Sequence, residues 1–148
     1  MKVFVVYDSI HGNTEKIART VGAAITGDVH VVRVEQAKPS DLNSVDLLII
    51  GSPTEAGRPT RAVRDFVSSM PASAGGGSVA AFDTRFSARW VRVFGYAADR
   101  IAATLKGKGW TAAARAEGFF VTGKEGPLKE GELERAAKWA RTISESSV

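Results

Sequence analysis

The sequence predicts an α/β fold in which helices cover both faces of a five-stranded parallel sheet of order 2-1-3-4-5, giving three layers. Apolar runs alternate with helical patterns along the chain, as in right-handed βαβ units. Two of these runs, residues 3–6 and 47–50, are apolar throughout and suit central strands covered on both faces. The 148 residues suffice for one core, so residues 1–148 are predicted to form a single domain.

Five strands are predicted from runs of apolar and β-branched residues. The first and third, residues 3–7 and 46–50, are the central ones. Residues 29–34 are apolar on one face and mixed on the other, as in an edge strand. The remaining strands are predicted at residues 78–82 and, in two pieces, at 110–111 and 118–121.

Five helices are predicted between and after the strands, from apolar residues spaced three and four positions apart. Asn13 is the expected N-cap of the first and Gly27 its stop, while Pro39 opens a short second helix and Thr60 caps the third. The apolar stripes are Ile17, Val21, Ala24 and Ile25 in the first helix, Val63, Phe66, Val67 and Met70 in the third, Ala98, Ile101, Ala102 and Leu105 in the fourth, and Leu133, Ala136, Ala137, Ala140 and Ile143 in the last.

The composition excludes several kinds of metal and redox site and argues against nucleic-acid and membrane partners. The chain has no cysteine, which excludes disulfides, thiolate metal sites and iron–sulfur clusters, so redox chemistry would need a bound organic cofactor. A net charge of +4 favours anionic partners but does not indicate nucleic-acid binding without a basic motif. The apolar runs are too short to span a bilayer and no signal peptide is evident, so the protein is expected to be cytoplasmic, without membrane or metal sites.

The loop after the first strand, residues 8–14, suits an anion. It leads into a helix N-terminus, where unpaired backbone N–H groups and the positive end of the helix dipole converge. Ser9, Asn13 and Thr14 could add hydrogen bonds to a phosphate, and the same residues would also serve as ordinary helix caps. Neither a Walker P-loop nor a Gly-x-Gly-x-x-Gly fingerprint is present, which disfavours ATP and NAD.

Residues 5–18 resemble the flavodoxin signature. Two apolar residues precede Tyr7, a hydroxyl residue follows at Ser9, and a small residue, Thr14 and Ala18 follow at the spacings of that family. The position at the N-terminus, the chain length and the order of elements are also similar to flavodoxins. The resemblance implies a flavodoxin-like fold with FMN as cofactor, its 5′-phosphate held by a loop comprising Ser9, Ile10, His11, Gly12, Asn13 and Thr14.

The loop after the third strand is similar to the one that flanks the isoalloxazine ring in the flavodoxin superfamily. Its Gly-Ser-Pro-Thr segment also resembles FMN-dependent quinone reductases, and it lacks the tryptophan of typical flavodoxins. A peptide that turns its carbonyl toward N5 of a reduced flavin tolerates positive φ best at glycine, which suits Gly57, although a plain turn glycine is equally consistent. The implied ring contacts are Pro53, Thr54, Glu55, Ala56, Gly57 and Arg58.

The loop after the fourth strand supplies aromatic residues where flavodoxins place a stacking tyrosine. Phe86 or Trp90 could take that role, while Trp90 could equally pack into the core. The ring contacts implied here are Asp83, Thr84, Arg85, Phe86 and Trp90. The cations Arg58 and Arg85 predict redox partners with an acidic docking face.

The favoured function is an FMN-binding electron carrier, with no catalytic residues of its own, that shuttles electrons between redox partner proteins as a monomer or weak dimer. Two alternatives remain open at this point. One is an FMN-dependent NAD(P)H:quinone oxidoreductase, suggested by the Pro53–Thr54 segment and the nearby arginines. The other is a flavodoxin-like binding domain that has lost FMN.

Overall fold

A computed structural model describes residues 1–73, 77–86 and 95–146 of the chain. These residues form one parallel sheet flanked by four α-helices. The strands are β1 (Lys2–Tyr7), β2 (Asp28–Arg33), β3 (Leu47–Pro53), β4 (Ser78–Phe86), β5 (Thr111–Ala112) and β6 (Glu117–Val121), and the helices are α1 (Asn13–Ala24), α2 (Arg61–Ser69), α3 (Ala97–Gly107) and α4 (Glu132–Ser146).

The sheet has the predicted order. The strands run β2-β1-β3-β4-β5 and all pair in parallel, with β2 at one edge. β5 and β6 lie one after the other along the free side of β4, where Ser78 pairs with Thr111 and Phe82 with Glu117. The two predicted pieces of the fifth strand are therefore confirmed, since residues 113–116 separate β5 from β6.

Each face of the sheet carries its own apolar layer. Alternate residues of β1 point to opposite faces, so Val3 and Val5 pack with α1 and α4, whereas Phe4 and Val6 pack with α2 and α3. Trp139 of α4 packs edge-on against Phe82. Both faces of the central strands are therefore buried, as their unbroken apolar runs predict.

The predicted short second helix is present as a 3-10 helix, Pro39–Leu42. Two other local predictions were wrong. Gly12, at φ +91°, is the N-cap of α1, and Asn13 is its first helical residue. Leu133 is 40% exposed because α4 turns Glu132 rather than Leu133 toward the sheet.

The outer edge of β6 is covered by the start of α4. Glu132 Oε2 accepts the backbone N–H of Phe120 at 2.7 Å, and Arg135 Nε donates to Glu132 Oε1 at 3.0 Å. The Arg135 guanidinium also lies 4.5 Å from the centre of the Phe119 ring. The Glu132 carboxylate thus accepts a backbone N–H that an open sheet edge would leave unpaired. Within the described ranges no helix is long and apolar enough to cross a membrane.

Candidate functional site

A cleft of about 710 Å³ opens at the carboxyl ends of the strands. The loops after β1, β3 and β6 and the carboxyl end of β4 contribute to it, as expected for the switch point of a doubly wound sheet. Its size lies in the range of small-molecule sites. The residues that line this main cleft are Ile10, His11, Asn13, Thr14, Pro53, Thr54, Glu55, Ala56, Gly57, Thr84, Phe86, Val121 and Lys124.

Backbone donors gather where α1 begins. Ser9 Oγ accepts the N–H of Gly12 at 3.1 Å and that of Glu15 at 3.3 Å, so Ser9 caps the helix from outside it. The N–H groups of His11, Asn13 and Thr14 have no hydrogen-bond partner among the described residues. These three residues all line the main cleft. Free N–H groups at the positive end of a 12-residue helix form an anion site.

The loop after β6 adds a cation to the same end of the cleft. Asn13 Nδ2 donates to the Glu125 carbonyl at 3.1 Å, and a Cβ on Gly126 would lie 2.6 Å from that Nδ2 atom. This close packing holds the loop over the start of α1 and brings Lys124 into the lining. The sequence analysis missed Val121 and Lys124. The position of the fifth strand beside β4 is the signal that could have found them, because its carboxyl end opens on the same edge.

Two buried threonines form part of the lining. Thr14 on α1 is 1% exposed and Thr84 on β4 is 5% exposed. Their hydroxyl oxygens lie 2.8 Å apart, and either can be the donor. The hydroxyl of Thr14 is thus already engaged within the protein, with one proton of the pair left for a ligand.

A tight turn forms the wall contributed by the loop after β3. Glu55 and Arg58 exchange both backbone hydrogen bonds, at 2.8 and 2.9 Å, which closes a two-residue hairpin. The central residues, Ala56 and Gly57, have φ of +48° and +81°. Positive φ at both central positions is the requirement of a type I′ turn, which glycine meets without strain and alanine does not.

The turn is anchored by hydrogen bonds to α3. Arg100 Nε of α3 donates to the Gly57 carbonyl at 2.7 Å, and the Arg58 N–H of the same peptide donates to Glu55. Thr54 Oγ1 accepts the Ala97 N–H at 3.1 Å, which ties the loop to the start of α3. The peptide between Gly57 and Arg58 is therefore held at both its oxygen and its nitrogen.

Arg85 is directed into the protein rather than into the cleft. Its Nε lies 2.7 Å from Asp83 Oδ1, and its guanidinium stacks 3.6 Å from the centre of the Tyr96 ring. Asp83 is fully buried and also accepts the Ala98 N–H at 3.0 Å. Burial raises the pKa of the Asp83 carboxyl, against the opposing effect of the Arg85 hydrogen bonds. A Cβ on Gly118 would lie 2.1 Å from Arg85 Nε, so only glycine leaves room for this ion pair.

An ionic cluster supports the first loop from behind. Arg33 of β2 donates to the Ser9 carbonyl at 3.1 Å and to Glu15 Oε1 at 3.1 Å. The Tyr7 hydroxyl also donates to Glu15, at 3.1 Å. Burial and this hydrogen bond raise the pKa of Tyr7. The hydrogen bonds from Tyr7 and Arg19 lower the pKa of the Glu15 carboxyl. Glu15 is thus held as a carboxylate bonded to its neighbours.

Eleven of the seventeen residues predicted for the site are brought together in the lining: Ile10, His11, Asn13, Thr14, Pro53, Thr54, Glu55, Ala56, Gly57, Thr84 and Phe86. Five others are placed beside it but do not line it: Ser9, Gly12, Arg58, Asp83 and Arg85. Trp90 lies outside the described residues, so its stacking role stays a prediction. The expectation that Arg85 faces the ring does not agree with its ion pair to Asp83.

A family comparison identifies this arrangement. The flavodoxin domain family matches residues 4–92, more than half of the chain, including the loops after β1 and β3. The chain belongs to the flavodoxin family. No curated protein sequence matches it significantly.

Solved structures show the same flavodoxin fold over the whole chain. A flavodoxin from the domain Archaea is 24% identical with a TM-score of 0.81, and the alignment covers 99% of both chains. Oxidised flavodoxin 2 from Bacillus cereus is 22% identical with a TM-score of 0.81, covering 98% of this chain and 99% of that one. Rubredoxin oxygen:oxidoreductase from Desulfovibrio gigas is 20% identical with a TM-score of 0.76, covering 99% of this chain but 36% of the larger protein.

Proposed function

We propose that this protein binds FMN in the main cleft and carries electrons between redox partner proteins. The observation that carries the proposal is the set of N–H groups of His11, Asn13 and Thr14 at one end of the cleft, which no described residue accepts. Family membership implies a flavin. A cluster of free donors beside an apolar cleft favours a flavin that also bears a phosphate.

We expect the phosphate to bind at the end of the main cleft next to the start of α1. This end combines neutral donors with one cation. The N–H groups at the start of α1 would bind phosphate oxygens, and one hydroxyl proton of the Thr14 and Thr84 pair remains for a further hydrogen bond. Lys124 would add a positive charge from the loop after β6. Glu15 in the first turn is bonded to Arg33 and Arg19, which offsets its repulsion of an anion.

The ring end is apolar and partly open. Pro53, Phe86 and Val121 line it together with the Ala56–Gly57 turn. Ile10 and Phe86 are 52% and 43% exposed, an unusual exposure for large apolar side chains. A planar aromatic cofactor would cover both side chains. FMN would supply the one- and two-electron chemistry, while the protein binds it and leaves its edge accessible to a partner.

Titration of the protein with FMN and with riboflavin tests the proposal. We expect FMN to bind at least about tenfold more tightly, since riboflavin lacks the phosphate that forms charge-assisted hydrogen bonds. Quenching of flavin fluorescence and the visible spectrum of the complex are the measurements. Equal affinities would contradict the phosphate site, and no binding of either would identify a domain that has lost its flavin.

Steady-state turnover separates a carrier from an enzyme. The FMN-loaded protein is mixed with NADH or NADPH and benzoquinone, and consumption of the nicotinamide is followed by its absorbance. A carrier is expected to show no turnover above that of free FMN. Saturable turnover with either nucleotide would instead support the quinone oxidoreductase suggested by the Pro53–Thr54 segment.

A further inference from the structure

A second cavity of about 310 Å³ lies between α2 and α3, next to the loop after β3. Three arginines line it, Arg58 from the loop, Arg64 from α2 and Arg100 from α3. Its apolar lining includes Pro59, Val67 and Ile101, all of which are buried. We call it the arginine cavity.

Among the described residues, no aspartate or glutamate lines the arginine cavity. Arg58 and Arg64 form no ion pair with any described residue, unlike Arg61, which is the first residue of α2 and pairs with Asp65. Three guanidinium groups around an apolar floor concentrate a positive potential, because low-dielectric walls focus the field.

The arginine cavity shares one turn with the main cleft. Arg58 lines the cavity, whereas its neighbour Gly57 lines the cleft. Arg100 bridges the two, since it lines the cavity and donates its Nε to the Gly57 carbonyl at 2.7 Å. An anion held by these arginines would therefore lie next to the Ala56–Gly57 turn, which forms one wall of the main cleft.

We propose that the arginine cavity is a docking site for acidic side chains of a protein partner. This inference rests on the proposed function, because it places that partner beside the flavin. Carboxylates match the planar fork of arginine. Arg58, Arg64 and Arg100 are all exposed at the rim, where side chains projecting from another protein surface can reach them. The cavity is at the small end of ligand sites, which suits a side chain better than a whole cofactor.

The test is an NMR titration of the 15N-labelled protein with the peptide hexaglutamate, at about 0.15 M salt so that distant charges are screened. We expect the largest amide shifts in Gly57, Arg58, Arg64 and Arg100. Arg64→Gln and Arg58→Gln should each weaken binding by about two- to fivefold, as expected for exposed ion pairs. Arg61→Gln is the matched control, because it removes the same charge from the same helix outside the cavity, and it should leave the affinity nearly unchanged.

Equal weakening by Arg61→Gln and Arg64→Gln, or shifts spread over other basic surfaces, would overturn the proposal, since binding would then follow net charge alone. A parallel titration with inorganic pyrophosphate distinguishes the source of the anion. Tighter binding of pyrophosphate with the same shifts would make the cavity a phosphate site and contradict the protein seat. The titration needs no FMN, so its failure is distinct from a failure to bind flavin.

Discussion

The hydroxyls of Thr14 and Thr84, 2.8 Å apart, join the first turn of α1 to the carboxyl end of β4. The two residues are 70 positions apart in sequence. Each supplies half of a polar contact in the floor of the main cleft, where a hydroxyl without a partner would be costly. The pair thus couples the start of α1 to β4.

Replacing Thr14 by valine is expected to lower FMN affinity by about tenfold or more, since a hydrogen bond to a charged group contributes roughly 1.5–3 kcal/mol. Fluorescence titration with FMN is the measurement. Thr84→Val is the matched control, because it removes the other hydroxyl of the pair without touching the loop at α1, and a smaller loss is expected. Equal losses in the two variants would show that the pair acts through packing alone.

Lys124→Gln is expected to weaken FMN binding by about two- to fivefold, the magnitude of an exposed ion pair, and to reduce the salt dependence of the affinity. Riboflavin binding should not change, because the charge acts on the phosphate. Lys106→Gln is the control, since Lys106 is in the last turn of α3 and does not line the main cleft. A parallel loss of FMN and riboflavin affinity would assign Lys124 to the ring end.

Ala56→Asn is expected to stabilise the protein by up to about 1 kcal/mol, because asparagine tolerates the left-handed conformation that alanine adopts here at φ +48°. Ala56→Val should be destabilising for the opposite reason. Urea unfolding of the three proteins measures both effects. If the asparagine variant were no more stable than the original, the turn would not be strained at this position.

Glu132→Gln is expected to cost about 1.5 kcal/mol at neutral pH, as for hydrogen bonds to a charged group. Burial raises the pKa of Glu132, but the hydrogen bonds from Arg135 and Phe120 outweigh it and leave the pKa lowered. The carboxylate therefore contributes stability above its unfolded pKa of about 4.3, and that contribution is lost as pH falls through the lower folded value. Unfolding at a series of pH values should show the two proteins converging in acid, and a constant difference would rule this out.

Asp83→Asn is expected to destabilise the fold by about 3 kcal/mol, because it leaves the half-buried Arg85 guanidinium without its counter-charge. Asp65→Asn on α2 is the control. Its partner Arg61 is exposed, so the loss should stay below about 1 kcal/mol. Chemical unfolding compares them. Similar small losses at both sites would mean that the Asp83 and Arg85 pair is as well solvated as the surface pair.

The sequence is sufficient to predict the layers of the fold. An unbroken apolar run such as residues 47–50 can be buried only on both faces of a sheet, and alternation of strands with helices leaves few right-handed arrangements. Anion binding by the loop at Ser9 and Thr14 could also be predicted from the sequence. A helix begins there directly after a strand, and the first N–H groups of a helix have no partner within it.

What the tertiary structure decided depends on groups that are far apart in sequence. Arg85 was predicted at the ring, but it faces inward because Asp83 is buried and Gly118 leaves space for the guanidinium. Lys124 lines the main cleft beside the Glu125 carbonyl, which is held by Asn13, 112 positions earlier than Glu125. Hydrophobic periodicity is a local property, so the sequence by itself determined the scaffold. The direction of a charged side chain depends on its partners in space, so only the tertiary contacts decided which charges face the site.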